Sequence, residues 1–216
     1  MTRNGVEAKL GDCAVPGVDV IAVDGIEVET SVSHRYFALN KPVGVVSTTQ
    51  DPQGRKTVLE LLDHRLVQDS QPFPVGRLDM DSAGLILLTN DGFLANRLLH
   101  PRYEVPREYM VEVKPIPRKE DLARLRKGVS LEDGDTGSAK VSMVGRSGDK
   151  GQVRLTIYTG KKRQIRRSFE LLGYNVLTLN RVRFGSLGLG SLRPGQYREL
   201  HAGEVRDLYR QTGLDR

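Results

Sequence analysis

Apolar and polar positions alternate with different periods along the chain, and these periods mark out short elements. Residues 18–28 (VDVIAVDGIEV) carry β-branched side chains on both sides of Asp24-Gly25, a dipeptide suited to positive φ in a tight turn, and predict a small hairpin. A polar stretch from Glu29 to Arg35 reads as a linker. YFALN (36–40) and GVVST (44–48) predict two short strands bracketing Lys41-Pro42, and TVLELL (57–62) has helical apolar spacing. Pro72 and Pro74 mark an extended approach to GRLD (76–79). LILLT (85–89) is a continuous apolar run, expected as a buried strand; Asp91 is placed to cap a helix over FLANRLLH, which Pro101 ends.

REYMVEV (107–113) alternates like a strand, RKEDLARLRKG (118–128) like a surface helix stopping at Gly128, and residues 138–145 and 152–159 like further strands. RQIRRSFELLG (163–173) puts Ile165, Phe169 and Leu172 on one helical face. NVLTLNRVRFG (175–185) returns as a strand, followed by a glycine-punctuated tail, and no repeat is evident. Neighbouring strands are joined mostly by short turns rather than regular crossover helices, so the pattern predicts an α+β fold with a largely antiparallel sheet.

A chain of 216 residues with 38% hydrophobic content can bury one large core or two small ones. The 33 Lys and Arg against 27 Asp and Glu give a net charge of +6, which favours polyanionic partners. Cys13 is the only cysteine, so no internal disulfide can form, and the four histidines lack companions at zinc-ligand spacing. No run approaches the roughly 20 apolar residues of a membrane span, and the first residues have no signal-peptide character. A cytoplasmic protein that neither crosses nor sits in a membrane is expected.

Chemistry concentrates in two places. GRLDMDSAGLILLTNDG (76–92) brings Arg77, Asp79, Asp81 and Ser82 together in a glycine-opened loop ahead of a buried strand. An isolated Asp near a turn usually does no more than satisfy turn amides. Asp79-Met80-Asp81 can also be read as the paired carboxylates of a magnesium-dependent phosphotransferase, although there the apolar strand comes before the pair and here it follows. KKRQIRR (161–167) has five basic residues in seven at the start of a helix. Cations at that end oppose the helix dipole, an arrangement that makes sense when an anion or carboxylate is brought to it. Residues 161–198 hold nine Lys or Arg against Glu170 alone, a bias toward phosphate binding. Lys41-Pro42-Val43-Gly44 shapes a turn, and Tyr109 is either a half-buried sheet residue or a platform for a base. The glycines at 185, 188 and 190 lack the strand and helix of a dinucleotide site.

KPVGVVS (41–47), GRLDMDSAGLILLTNDG (76–92), REYMVEV (107–113) and TGKKRQIRR (159–167), in this order, resemble the bacterial ribosomal pseudouridine synthases of the RsuA and RluB type. The resemblance spans nearly all of residues 36–210. It implies a pseudouridine synthase fold, with a mainly antiparallel central sheet, flanking helices and an RNA-binding cleft, and no metal or organic cofactor. It also implies isomerisation of a uridine in ribosomal RNA with base flipping, the large-subunit 23S RNA being favoured over the 16S. The partner would be ribosomal RNA or a pre-ribosomal particle, met by a monomer.

By the same resemblance Asp79 matches the catalytic aspartate, Tyr109 the tyrosine that packs on the target base, and Arg166 the basic partner of the aspartate. Ile165 would line the pocket and Arg77 would help hold the flipped conformation. Lys41, Lys161, Lys162, Arg163 and Arg167 are expected to bind RNA, whereas Asp81 and Ser82 look structural. Thr159-Gly160 and Ser168 depart modestly from the family pattern. Residues 1–33 resemble only the last part of an alpha-L RNA-binding module plus a linker, leaving 34–216 as the catalytic domain. A competing reading of the same basic cleft is an RNA-binding assembly factor without chemistry.

Overall fold

The computed structural model describes residues 1–15, 18–28 and 33–214 and divides into two compact units, Met1–His34 and Arg35–Arg216. In the first, β1 (Thr2–Arg3), β2 (Val6–Glu7), β3 (Ile21–Val23) and β4 (Ile26–Val28) form one sheet in the order β2-β1-β3-β4. The β3–β4 hairpin turns at Asp24-Gly25 with φ of 52° and 79°, and β1–β2 turns at Asn4-Gly5 with the same pair of angles. Positive φ at both central residues matches the right-handed twist of the strands, so the dipeptides decide the turns. The hairpin expected over 18–28 is present and begins at Ile21. Of the linker expected over 29–35, residues 29–32 lie outside the described residues.

The second unit is built on a nine-stranded sheet. Its strands are β5 (Tyr36–Lys41), β6 (Phe73–Pro74), β7 (Ala83–Thr89), β8 (Arg107–Lys114), β11 (Lys140–Ser147), β12 (Lys150–Ile157), β13 (Asn175–Phe184), β14 (Leu187–Gly188) and β15 (Tyr197–Glu199); β9 (Ser130–Leu131) and β10 (Gly134–Asp135) pair separately. The order is β11-β12-β8-β13-β7-β5-β15, with β14 on β13 and β6 on β7. Every pairing is antiparallel except β13–β7, where Asn180 and Arg181 lie beside Ala83 and Gly84. The largely antiparallel α+β reading therefore holds, and one parallel contact joins its two halves.

Helices α1 (His64–Ser70), α2 (Gly92–Leu99), α3 (Lys119–Lys127), α4 (Gln164–Leu171) and α5 (Ala202–Gln211) accompany the sheet. Asp91 begins α2 by accepting from the Leu94 amide through one carboxylate oxygen, while the other accepts from the hydroxyls of Tyr36 and Tyr209. One carboxylate thus ties α2, β5 and α5 together at a buried point. α4 buries Ile165 and Phe169, the positions its 3.6-residue period selected, in the core under β8 and β13.

Three expectations need correction. GVVST is not a strand: its one β-bridge among the described residues is the parallel contact of Val46 with Thr57, and the Gly44 amide donates to the Met80 carbonyl. TVLELL yields only the 3-10 turn Leu59–Leu61, because Val58 and Leu62 are drawn into the core beneath β5 and β7. The glycine-punctuated tail contains α5, whose Leu208 and Tyr209 pack in the core shared with α2. Among the described residues no helix is long and apolar enough to cross a membrane.

Candidate active site

Gly76 opens the loop at φ +76°, and a Cβ there would lie 2.9 Å from a Leu99 methyl, so both the turn and the packing favour glycine. The loop is clamped from two sides. The Ser47 hydroxyl donates to the Leu78 carbonyl (2.9 Å) and accepts from the Leu78 amide (3.1 Å), and the Ser82 amide donates to the Asp79 carbonyl. This fixes the backbone around Asp79 while its carboxylate stays 37% exposed. A preorganised backbone with a reachable carboxylate suits an attacking group or a base.

The basic run meets this loop, in a register that differs from the one expected. Arg166, read as the partner of Asp79, instead donates to the carbonyls of Asp81 (2.8 Å) and Val176 (3.0 Å), with its Nε 3.3 Å from the Asp81 carboxylate. Arg163 grips Asp81 through both terminal nitrogens and stands 3.9 Å from Asp79. Arg163 has positive φ, 50°, just before α4, and that strained geometry turns its side chain toward the loop. Burial pushes the Asp81 carboxyl up, but the Arg163 hydrogen bonds and the charges of Arg166 and Arg163 outweigh it and hold the group below its usual range. Asp81, expected to be structural, is the clasp between loop and helix. Engaged by two arginines, it does not pair with Asp79 in the manner of a cation-binding carboxylate couple.

A cleft of about 530 Å³ opens over these groups and is lined by Arg77, Asp79, Tyr109, Lys161, Lys162, Arg163 and Ile165, seven of the expected residues. Tyr109 is 7% exposed and presents its ring to the cleft from β8. Three expected residues are not among its lining. Arg166 lines a neighbouring depression with Glu170 and Tyr174. Arg167 is paired with Asp133 at 2.9 Å. Lys41 is completely buried and donates to the carbonyls of Pro42 (2.9 Å) and Val45 (2.7 Å), which corrects its assignment to RNA binding. Burial pushes its ammonium down to about 8, against the opposing pull of Asp81 and Asp79.

Sequence reasoning missed two cations of the cleft, Arg107 and Arg181, both buried. Arg107 lies two residues before Tyr109, on the same face of β8, so strand periodicity alone marks it as a neighbour of that ring. Its terminal nitrogens donate to the carbonyls of Val105, Tyr158 and Leu98. Arg181 was counted only as one more cation of the basic segment. Among the described residues, no cluster of three or more His, Cys, Asp or Glu side chains is placed to hold a metal ion.

The family described as RNA pseudouridylate synthase matches residues 35–171. Ribosomal large subunit pseudouridine synthase B of Bacillus subtilis strain 168 is 43% identical over 196 residues, spanning 90% of this chain and 79% of that protein. An uncharacterized RNA pseudouridine synthase of Aquifex aeolicus strain VF5 is 38% identical, spanning 97% and 83%. Among solved structures, a crystal structure of a pseudouridylate synthase superimposes with a TM-score of 0.75 at 31% identity, over 96% of this chain and 87% of that one. The archaeal box H/ACA Nop10–Cbf5 complex shares the fold at a TM-score of 0.56 and 15% identity, over 85% and 57%. Identity of this extent, across the segments that build the cleft, makes the chain a member of the RNA pseudouridylate synthase family, of the bacterial RsuA and RluB type.

Proposed function

We propose that the protein converts one uridine of large-subunit ribosomal RNA to pseudouridine, with Asp79 as the acting carboxylate. The observation that carries this reading is the placement of Asp79: a partly exposed carboxylate on a clamped loop, lining the same cleft as the Tyr109 ring and a rim of cations. A stacked uridine is inaccessible to such a floor, so the nucleotide is flipped out at a cost of a few kcal/mol. Tyr109 supplies a face for the uracil, Ile165 an apolar wall, and Arg77 a cation beside the flipped backbone. Lys161 and Lys162 hold phosphates at the rim.

Asp79 then either attacks the sugar or removes a ribose proton to give a glycal, and the uracil rotates before carbon 5 is joined to carbon 1′. Arg163 faces Asp79, and Arg166 acts on it through the Asp81 backbone as a positioning residue. Residues 1–33 are proposed to belong to an RNA-binding module that tunes target choice, in a cytoplasmic monomer. The high identity to the Bacillus subtilis large-subunit enzyme supports the choice of RNA. Mapping pseudouridine across both ribosomal RNAs of a strain lacking the gene tests it: one site in the large-subunit RNA should revert to uridine and return with the wild-type gene. A map unchanged there, or changed only in the small-subunit RNA, overturns the proposal.

A further inference from the structure

Among the described residues Arg181 is the bulkiest side chain that is fully buried. Its Nε donates to the Leu85 carbonyl at 2.7 Å, and its Nη2 is buried with no hydrogen-bond partner among those residues. The carboxylates that meet the basic run face other cations: Asp79 stands 3.9 Å from Arg163, Asp81 is held by Arg163 and Arg166, and Asp133 by Arg167. A second guanidinium lies close by. Arg181 sits 5.0 Å and Arg107 5.5 Å from the centre of the Phe184 ring. Burial lowers the proton affinity of Arg107, and the positive charge of Arg181 lowers it further against an opposing contribution from Tyr109. Two buried like charges without an anion are costly, so a fold that keeps them has a use for the field they make. The Ser82 hydroxyl, at 1% exposure, is a second cleft-lining group with no partner among the described residues.

The register indicates what the field is for. Arg181 on β13 is the direct cross-strand neighbour of Tyr109 on β8, and both line the cleft. It therefore stands at the floor, beside the ring proposed to hold the uracil, and not with the exposed Lys162 at the rim where phosphates lie. Resting on the synthase reading above, we infer that Arg181 is a catalytic residue: its free Nη2 binds a uracil carbonyl oxygen and stabilises the negative charge that collects there as the glycosidic bond breaks.

The step balances in either route. The electron pair of the bond between uracil nitrogen 1 and ribose carbon 1′ leaves with the base, delocalised onto its carbonyl oxygens. At the sugar, carbon 1′ forms a bond to an Asp79 oxygen, or a ribose proton passes to Asp79 and a glycal remains. After rotation carbon 5 of the uracil anion gives an electron pair to carbon 1′, either as the bond from carbon 1′ to Asp79 breaks and frees the carboxylate, or, in the glycal route, as Asp79 returns its proton to carbon 2′. The proton on carbon 5 then departs to a base. The charge exists only between these events. A donor fixed in a dry site acts on it selectively, as an oxyanion hole does. A guanidinium also donates hydrogen bonds without releasing its proton, so the anion is stabilised and carbon 5 keeps its nucleophilicity.

The test is single-turnover loss of the N-glycoside in an RNA carrying the mapped uridine, compared with the same RNA carrying 5-fluorouridine, whose base is a better leaving anion. Arg181→Met should slow the uridine reaction about 100-fold or more and the 5-fluorouridine reaction only about tenfold, since a better leaving anion needs the cation less. RNA affinity and its salt dependence should stay unchanged. Equal losses on both substrates overturn the inference, and so does a weakened affinity whose salt slope falls by about one, which marks a phosphate contact. If Arg181→Met does not fold by circular dichroism, Arg181→Lys is run on the same pair: its displaced cation should again lose less on 5-fluorouridine, and equal losses again overturn the role. Wild-type turnover separates the two claims. Its absence overturns the synthase reading together with this one, whereas normal wild-type turnover with equal deficits overturns only the role of Arg181.

Discussion

On β5 and β7 every residue from Tyr36 to Lys41 and from Gly84 to Thr89 is buried, whereas along β8 burial alternates residue by residue. The first pair is covered on both faces: Tyr36, Ala38, Leu85 and Leu87 pack toward α2 and α5, and Phe37, Leu39, Ile86 and Leu88 toward Val58 and Leu62. The second region, β8 with β11 and β12, has one core face, and its other face carries ion pairs such as Lys150–Glu112. A strand packed on both sides has no polar face to spare for a substrate. The candidate site accordingly lies where the two regions join, at the short parallel contact between β7 and β13. Asp79 hangs just before β7, Arg181 is on β13, and Tyr109 faces it from β8.

The largest expected effect comes from breaking that junction. A Cβ on Gly84 would lie 2.3 Å from the Arg181 carbonyl oxygen and 2.5 Å from its amide nitrogen, at φ +108°. Gly84→Ala should therefore cost about 4 kcal/mol or more, as clashes with a backbone that cannot yield do. Urea denaturation measures this; a loss of under about 1 kcal/mol would mean the two regions can part without harm.

A smaller effect separates buried from rim cations. Lys41→Met leaves two carbonyls in the doubly covered region without their donor and should cost about 1–3 kcal/mol, with the salt dependence of RNA binding unchanged. Because the folded Lys41 is held near 8, below its ordinary 10.5, the unfolded chain binds more protons between those values. Wild type should gain stability on the variant as pH rises through that window. Lys162→Ala should do the reverse: stability stays, and the slope of affinity against salt shallows by about one. A slope change in Lys41→Met would return that lysine to the RNA path.

Among the variants expected to lose stability, the smallest loss belongs to Asp81→Asn, since its carboxylate is 44% exposed and screening limits such pairs to about 1 kcal/mol or less. The folded carboxyl titrates below its ordinary range, so its contribution is present above that range and lost as pH falls. The difference in melting temperature from wild type should thus shrink as pH drops below about 4. Single-turnover rate should suffer more than stability, because Arg163 and Arg166 lose the clasp that holds the Asp79 loop to α4. A variant with unchanged rate would show that the clasp does not position the loop.

Elements set by local pattern appear where the sequence puts them. The apolar run of β7, the alternation of β8, the Asp91 cap and the buried face of α4 each depend on residues within a few positions of one another. The segment after Lys41 and helix α5 were not legible in that way, because each is ordered by a distant partner: Ser47 by Leu78, and Tyr209 by Asp91 and Tyr36. The site divides similarly. Asp79, Tyr109 and the basic run stand out as motifs, but a motif does not reveal depth. Lys41 and Arg181 count as ordinary cations along the chain, and only the packing of β5 and β13 against β7 buries them. The partner of Arg166 shifted from Asp79 to Asp81 because the positive φ at Arg163 turns that residue toward the loop instead.

The central claim is that Asp79, held where the two regions meet, does chemistry and does not hold RNA. Single-turnover conversion by Asp79→Asn, with RNA affinity measured alongside, tests it most directly. The account predicts no detectable pseudouridine and an affinity within a few fold of wild type, because one carboxylate in a cationic cleft contributes to the reaction and not to phosphate contacts. Substantial turnover by the variant would contradict it, and so would a loss of activity that merely tracks a loss of binding.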